Sequence, residues 1–151
     1  MGNTQSMRKI NFEDMQTVTK NPEIYLLINT LPLGDHQCCL IHGTVSSTQE
    51  ESAINKYLKE NKGVKIIIYG KNCNDDNVQK KYQQLLSLGF YNVYAYSGGL
   101  FEWLMLQDIY GKDLFPTTKI EKDILKFKAC SILNISLTGI ILNRNPLIIL
   151  M

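Results

Sequence analysis

The stretch VKIIIYGKNCNDDNVQKKYQQLLSLGF, Val64 to Phe90, decides how the rest of the chain is read. Its first part is an apolar run without polar alternation, as expected of a strand covered on both faces, and it predicts the central strand of a parallel sheet. A polar loop, Gly70 to Asn77, then leads into a helix. There Val78, Tyr82, Leu85 and Leu86 fall at i, i+4, i+7 and i+8, so one face packs while Lys80, Lys81 and Gln84 meet water. Gly89 is placed to end that helix in a left-handed turn.

Working outward, the same alternation of apolar runs and helical stripes continues. Upstream, EIYLLINTL is a strand, PLGDHQ a loop and CCLIHGTV a second short strand that stops at Gly43. A helix is expected from SSTQEESAINKYL, with Ser47 and Glu50 forming a capping box and Ala53, Ile54, Tyr57 and Leu58 forming its apolar stripe. Nearer the start, Asn11 caps a short helix that ends before Pro22. Downstream, YNVYAYS is a strand, and GGLFEWLMLQDIYG turns on two glycines into a helix ending near Gly111. Strands and helices in turn predict an α/β fold, a mostly parallel central sheet with helices on both faces.

The chain has 151 residues, 44% of them apolar and 20% charged, the size and composition of one globular domain. A net charge of +2 with no basic run argues against a nucleic-acid partner. Four cysteines without a CxxC pair, and a start without a secretory apolar run, give reduced thiols and a cytoplasmic location as the expectation. The opening MGNTQS matches the myristoylation pattern at Gly2, with Ser6 as its small hydroxyl; a single acyl chain would give only marginal peripheral membrane contact. KIEKDILKFKA reads as a short helix with Ile120, Ile124 and Phe127 inward. The apolar tail from Cys130 is cut by Asn143 to Pro146 into pieces shorter than the roughly 20 residues that span a bilayer. The expected divisions are residues 1–10 as an N-terminal tail, 11–118 as the domain and 119–151 as a C-terminal extension.

LGFYNVYAYSGGLFEW resembles the GF-x-NVY-x-x-x-GG-x-x-x-W region of rhodanese-like domains, and LLIN…GDHQCCLIHGTV stands where that family has its LIDVR…GHI…A segment. The resemblance covers residues 10 to 116. It implies a three-layer rhodanese-like fold and an active loop after the central strand, at the carboxyl end of the sheet, where orphan helix amides can meet a ligand. Active members of the family begin this loop with a cysteine and close it with a basic side chain. Here Gly70 stands where that cysteine is expected, and Cys73 follows three positions later. The family's D-x-R reads as Asn29-Thr30-Leu31. The resemblance thus implies a rhodanese-like domain with a degenerate loop, a binding or regulatory module without efficient sulfur transfer. The alternative is a thiosulfate or persulfide sulfurtransferase with Cys73 as nucleophile.

The loop chemistry can be weighed residue by residue. A sulfur-transfer nucleophile must be thiolate, which cations and helix N-termini favour and anions oppose. Lys71 and the helix mouth favour it at Cys73; Asp75 and Asp76 oppose it and would repel an anionic donor. Either acid can instead cap the helix. Gly70, Lys71, Asn72, Asn74, Asp75, Asp76 and Asn77 are therefore the candidate active loop around Cys73, with the amides of residues 74 to 77 as the cradle for a persulfide. The absence of arginine from this loop argues against phosphatase chemistry. His36 and His42 lack the acidic or cysteine partners of a zinc site, so neither a metal nor a cofactor is expected. Cys38 and Cys39, adjacent in a strand, point to opposite faces. Trp103, Phe101 and Leu104 read as core, Glu102 as solvated, and Phe115-Pro116 as pinning the chain to the sheet. The partner is an unidentified protein or a small sulfur donor.

Overall fold

In the computed structural model, residues 6–36 and 39–133 are described, without the side chains of residues 35 and 36. Gly2, Cys38 and residues 134–151 lie outside this range. Four parallel strands form one sheet: β1 (Lys9–Ile10), β2 (Tyr25–Asn29), β3 (Lys65–Tyr69) and β4 (Val93–Tyr96), in the order β1-β4-β3-β2. The apolar run after Val64 is β3, flanked on both sides, and Ile66, Ile67, Ile68 and Tyr69 are all buried.

The period of two along the strands sorts their side chains into two cores. Leu26, Ile28, Ile66, Ile68, Val93 and Ala95 face α3 (Ser47–Glu60) and α4 (Asp76–Ser87), meeting Val78, Tyr82 and Leu85. Leu27, Ile67, Tyr69 and Tyr96 face α1 (Phe12–Lys20) and α5 (Gly99–Tyr110), meeting Met15, Val18, Leu100, Trp103 and Leu104. Three layers result, as the sequence implies. Asn11 caps α1 in a full capping box with Asp14, and Gly89, at φ +110, follows the end of α4 in the left-handed conformation that disfavours a side chain. β1 is a strand the sequence did not announce. It is held by the Ala95 amide donating to the Arg8 carbonyl at 2.8 Å, with the Arg8 guanidinium over the Tyr94 ring at 4.4 Å. Its two residues fall at the end of the segment expected as a tail.

Several local expectations are corrected. PLGDHQ carries one helical turn, α2 (Leu33–His36), rather than a bare loop. Among the described residues, 39–45 of CCLIHGTV form no strand, so Cys39 is no strand residue: pairing shrinks to a single antiparallel bridge, Ile41 with Thr117. Side chains have taken the backbone donors a ladder would need, since the Leu40 amide donates to Thr118 Oγ1 and the Ile41 amide to Tyr69 Oη. The capping box at Ser47 does not form. Ser46 is the N-cap, its hydroxyl bonded to Thr48, while Glu50 reaches across to Lys81 at 2.7 Å. KIEKDILKFKA forms only a 3-10 turn, Ile124–Phe127: Phe127 is fully buried, but Ile120 is exposed because the preceding chain is held along Leu40 by the Thr118 amide. Glu102 is not simply solvated; it accepts a hydrogen bond from Tyr96 Oη.

Phe115 and Pro116 do fasten the chain. Phe115 stacks edge-on against Trp103 at 5.0 Å, and the Pro116 carbonyl accepts from Trp103 Nε1 and from the His42 amide. None of the helices in the described residues is long and apolar enough to cross a membrane.

Candidate functional site

The loop after β3 lies where the sheet's carboxyl end meets two helix N-termini. Its geometry is set by one carboxylate. Asp75 Oδ1 accepts from the Asn77 amide at 3.0 Å, which caps α4. Its Oδ2 accepts from the Lys71 amide at 3.0 Å and from Thr30 Oγ1 at 3.2 Å. Three donors thus converge on an anion that belongs to the chain itself, in a place the α4 dipole also favours. That carboxylate fills the space beside Gly70: a Cβ built there would meet Asp75 Oδ2 and Cγ and, at 2.8 Å, Thr30 Oγ1.

The other wall is equally close. The Leu100 and Phe101 amides at the start of α5 donate to the carbonyls of Gly70 and Lys71, at 2.9 and 2.8 Å. Gly99 has φ +70, and a Cβ on it would stand 2.8 Å from the Asn72 nitrogen, so glycine is required on both counts. Asn72 ties the loop in two directions, accepting from the Asn74 amide on Oδ1 and donating from Nδ2 to the Phe127 carbonyl at 2.9 Å.

Cys73 stands on the outer turn of the loop, exposed, and its one hydrogen bond has the sulfur donating to Asn74 Oδ1 at 3.8 Å. Of the amides expected to cradle a persulfide, those of Asn74, Asp75 and Asn77 already donate to Asn72 Oδ1, the Asn72 carbonyl and Asp75 Oδ1. Asp76 and Asn77 are exposed in the first turn of α4. The candidate residues therefore sit on one loop in which three of the four amides already have acceptors within the chain. Among the described residues no group of three or more His, Cys, Asp and Glu side chains could hold a metal ion.

Beneath the loop, Tyr69 and Tyr96 end the two inner strands. Burial pushes the Tyr69 phenol well above its usual range, though hydrogen bonds with Thr44 and Ile41 oppose the shift. Burial, and then the Glu102 carboxylate beside it, do the same to Tyr96. Both phenols serve as neutral hydrogen-bonding posts. Thr30 and Phe127 fasten the loop from 45 and 55 residues away in sequence; the apolar stripe marked Phe127 as inward, but nothing local tied either residue to the loop.

Residues 38–106 match the family model of the rhodanese-like domain. Several solved structures share the fold. The solution structure of the rhodanese-like domain of the Anabaena sp. Alr3790 protein superposes with a TM-score of 0.55 at 17% identity, covering 93% of this chain and 98% of that one. The Saccharomyces cerevisiae single-domain sulfurtransferase RDL2 gives 0.50 at 19% identity, over 76% and 99% of the two chains. A thiosulfate sulfurtransferase from Pseudomonas aeruginosa gives 0.53 at 17% identity, over 66% of this chain and 19% of that one. At such identities the likeness is one of fold. No curated protein matches the chain in sequence.

Proposed function

Starting from a chain that carries a rhodanese-like domain, we propose that it works as a binding or regulatory module without efficient sulfur transfer. The observation that carries this reading is the Asp75 carboxylate, which takes loop donors and fills the space where a side chain on Gly70 would lie. An anionic sulfur cargo brought to this loop would meet a fixed negative charge where it needs hydrogen-bond donors. Such a loop suits a surface that partners read rather than one that turns over thiosulfate.

A second reading is favoured by the exposure of Cys73. Its thiolate would attack the outer sulfur of thiosulfate, releasing sulfite and leaving a persulfide; cyanide would take that sulfur as thiocyanate and return the thiolate. Thiocyanate formation from thiosulfate and cyanide, compared between the wild type and Cys73→Ser, separates the two readings. Equal background rates support the module; turnover lost in Cys73→Ser, or sulfur found on Cys73 by intact mass, overturns it.

The module would work in the cytoplasm. The N-terminal MGNTQS supports a tethered form through Gly2. Gly2→Ala should then shift the protein from membrane to soluble fractions, and an unchanged distribution removes the tether from the reading.

A further inference from the structure

Towards the amino ends of the strands, on the side of the sheet that carries Trp103, a cavity of about 330 Å³ lies between the sheet and one edge of α1. That size is at the lower end of the range of small-ligand sites. From α1 come Asp14, Thr17 and Val18, which share a face at i, i+3 and i+4. From the sheet come Tyr25, Lys65, Ile67 and Tyr94. Strand alternation agrees, since each of these lies an even number of residues from Leu27, Tyr69 or Tyr96, which face α1 and α5.

Val18 and Ile67 are buried and give the cavity an apolar floor, while Tyr25 and Tyr94 are half-buried rings in its wall. Two opposite charges complete the lining. Asp14 accepts from the Asn11 amide on Oδ2 at 3.3 Å, and its Oδ1 has no partner among the described residues. The Lys65 ammonium stands over the Tyr25 ring at 5.8 Å and forms no ion pair among the described residues. The two charges therefore do not neutralise each other, although a space this small lets one molecule touch both. A simple anion would meet Asp14 there, and a simple cation Lys65, each a like-charge contact. A ligand that carries both signs avoids either conflict, and an aromatic body suits tyrosine rings above an aliphatic floor.

We propose that this cavity binds a small aromatic zwitterion of the free amino-acid class, its ammonium towards Asp14, its carboxylate towards Lys65 and its ring against Tyr25 and Tyr94. The loop around Cys73 leaves the sheet at the other, carboxyl end, so the site stands or falls independently of that loop's chemistry.

The test uses L-phenylalanine as the probe, titrated into the 15N-labelled full chain. The expected result is saturable shifts of the backbone amides of α1 from Asp14 to Val18 and of Lys65 to Ile67. Hydrocinnamate lacks the ammonium and phenethylamine lacks the carboxylate, and each should bind roughly tenfold more weakly, equivalent to about 1.4 kcal/mol. Lys65→Gln, at an exposed position, should weaken L-phenylalanine binding to a similar degree without disturbing the fold. Asp14→Asn keeps an acceptor for the Asn11 amide but removes the charge, and should do the same. Saturable shifts around the cavity, weakened in both variants and with both analogues, support the site. The absence of saturation in the wild type, shifts centred away from α1, undiminished binding in either variant, or an analogue binding as tightly as L-phenylalanine would each overturn it.

Discussion

The Asp75 carboxylate lies against Gly70 so closely that no side chain fits between them, and the same carboxylate is held by the amides of Lys71 and Asn77. The two positions should therefore be coupled. Gly70→Cys alone must displace a cap and should cost roughly 1–2 kcal/mol. Asp75→Gly retains most of the capping tendency and clears the space, so the double variant should be more stable than the sum of the singles, with a coupling of about 0.5–3 kcal/mol. Urea unfolding of the four proteins measures this. Strict additivity would remove the steric account of the loop.

Asp75 and Asp76 look equivalent in sequence but differ in what they hold. Asp75→Ala loses the helix cap and leaves the Lys71 amide without its acceptor, a loss of about 1–2 kcal/mol. Asp76→Ala loses only a favourable charge at an exposed first turn, about 0.3–1 kcal/mol. Thermal unfolding should rank the two variants in that order, Asp75→Ala melting lower.

Alkaline pH should unfold the domain. Tyr69 and Tyr96 have phenol pKa values raised by burial, so in the folded state they remain protonated where an unfolded tyrosine, with a pKa near ~10, ionises. The stability these groups contribute is complete below that value and is lost as pH rises from it toward their folded values. Tyrosinate absorbance should rise together with the loss of far-UV dichroism, and Tyr96→Phe should move the transition to higher pH. Ionisation of all tyrosines without unfolding would contradict the burial.

The cysteines should separate by rate of reaction with a disulfide reagent. Cys73 and Cys130 are exposed, whereas Cys39 is fully buried with its sulfur donating to the Lys119 carbonyl. Cys73→Ser should therefore remove one fast equivalent, and Cys39→Ser none. A slow Cys73 in the native protein would mean that the loop's outer turn is covered.

The layers were legible because they rest on local pattern. The unbroken run at Ile66 to Tyr69 and the stripe Val78, Tyr82, Leu85 place β3 and α4 without knowledge of the rest, and Asn11 announces α1 by its own cap. Glu50 and Glu102 were misread because their partners, Lys81 and Tyr96, are reached through the fold rather than through capping or helical spacing. CCLIHGTV failed as a strand for a related reason: Tyr69 Oη and Thr118 Oγ1 compete for the amides that a ladder needs. In the loop, Asp75 was legible as a helix cap. Its second role as the acceptor for Lys71 and Thr30 depends on a turn that composition does not encode.

Phe127 lies in the segment read as an extension, yet it is fully buried with Trp103 and Phe115, and its carbonyl receives the Asn72 side chain. The loop's stiffness is therefore partly on loan from a distant stretch of backbone. A chain trimmed at Pro116 would lose both a keystone of one core and a guy-rope of the Cys73 turn, so the smallest unit with an intact loop extends past Phe127.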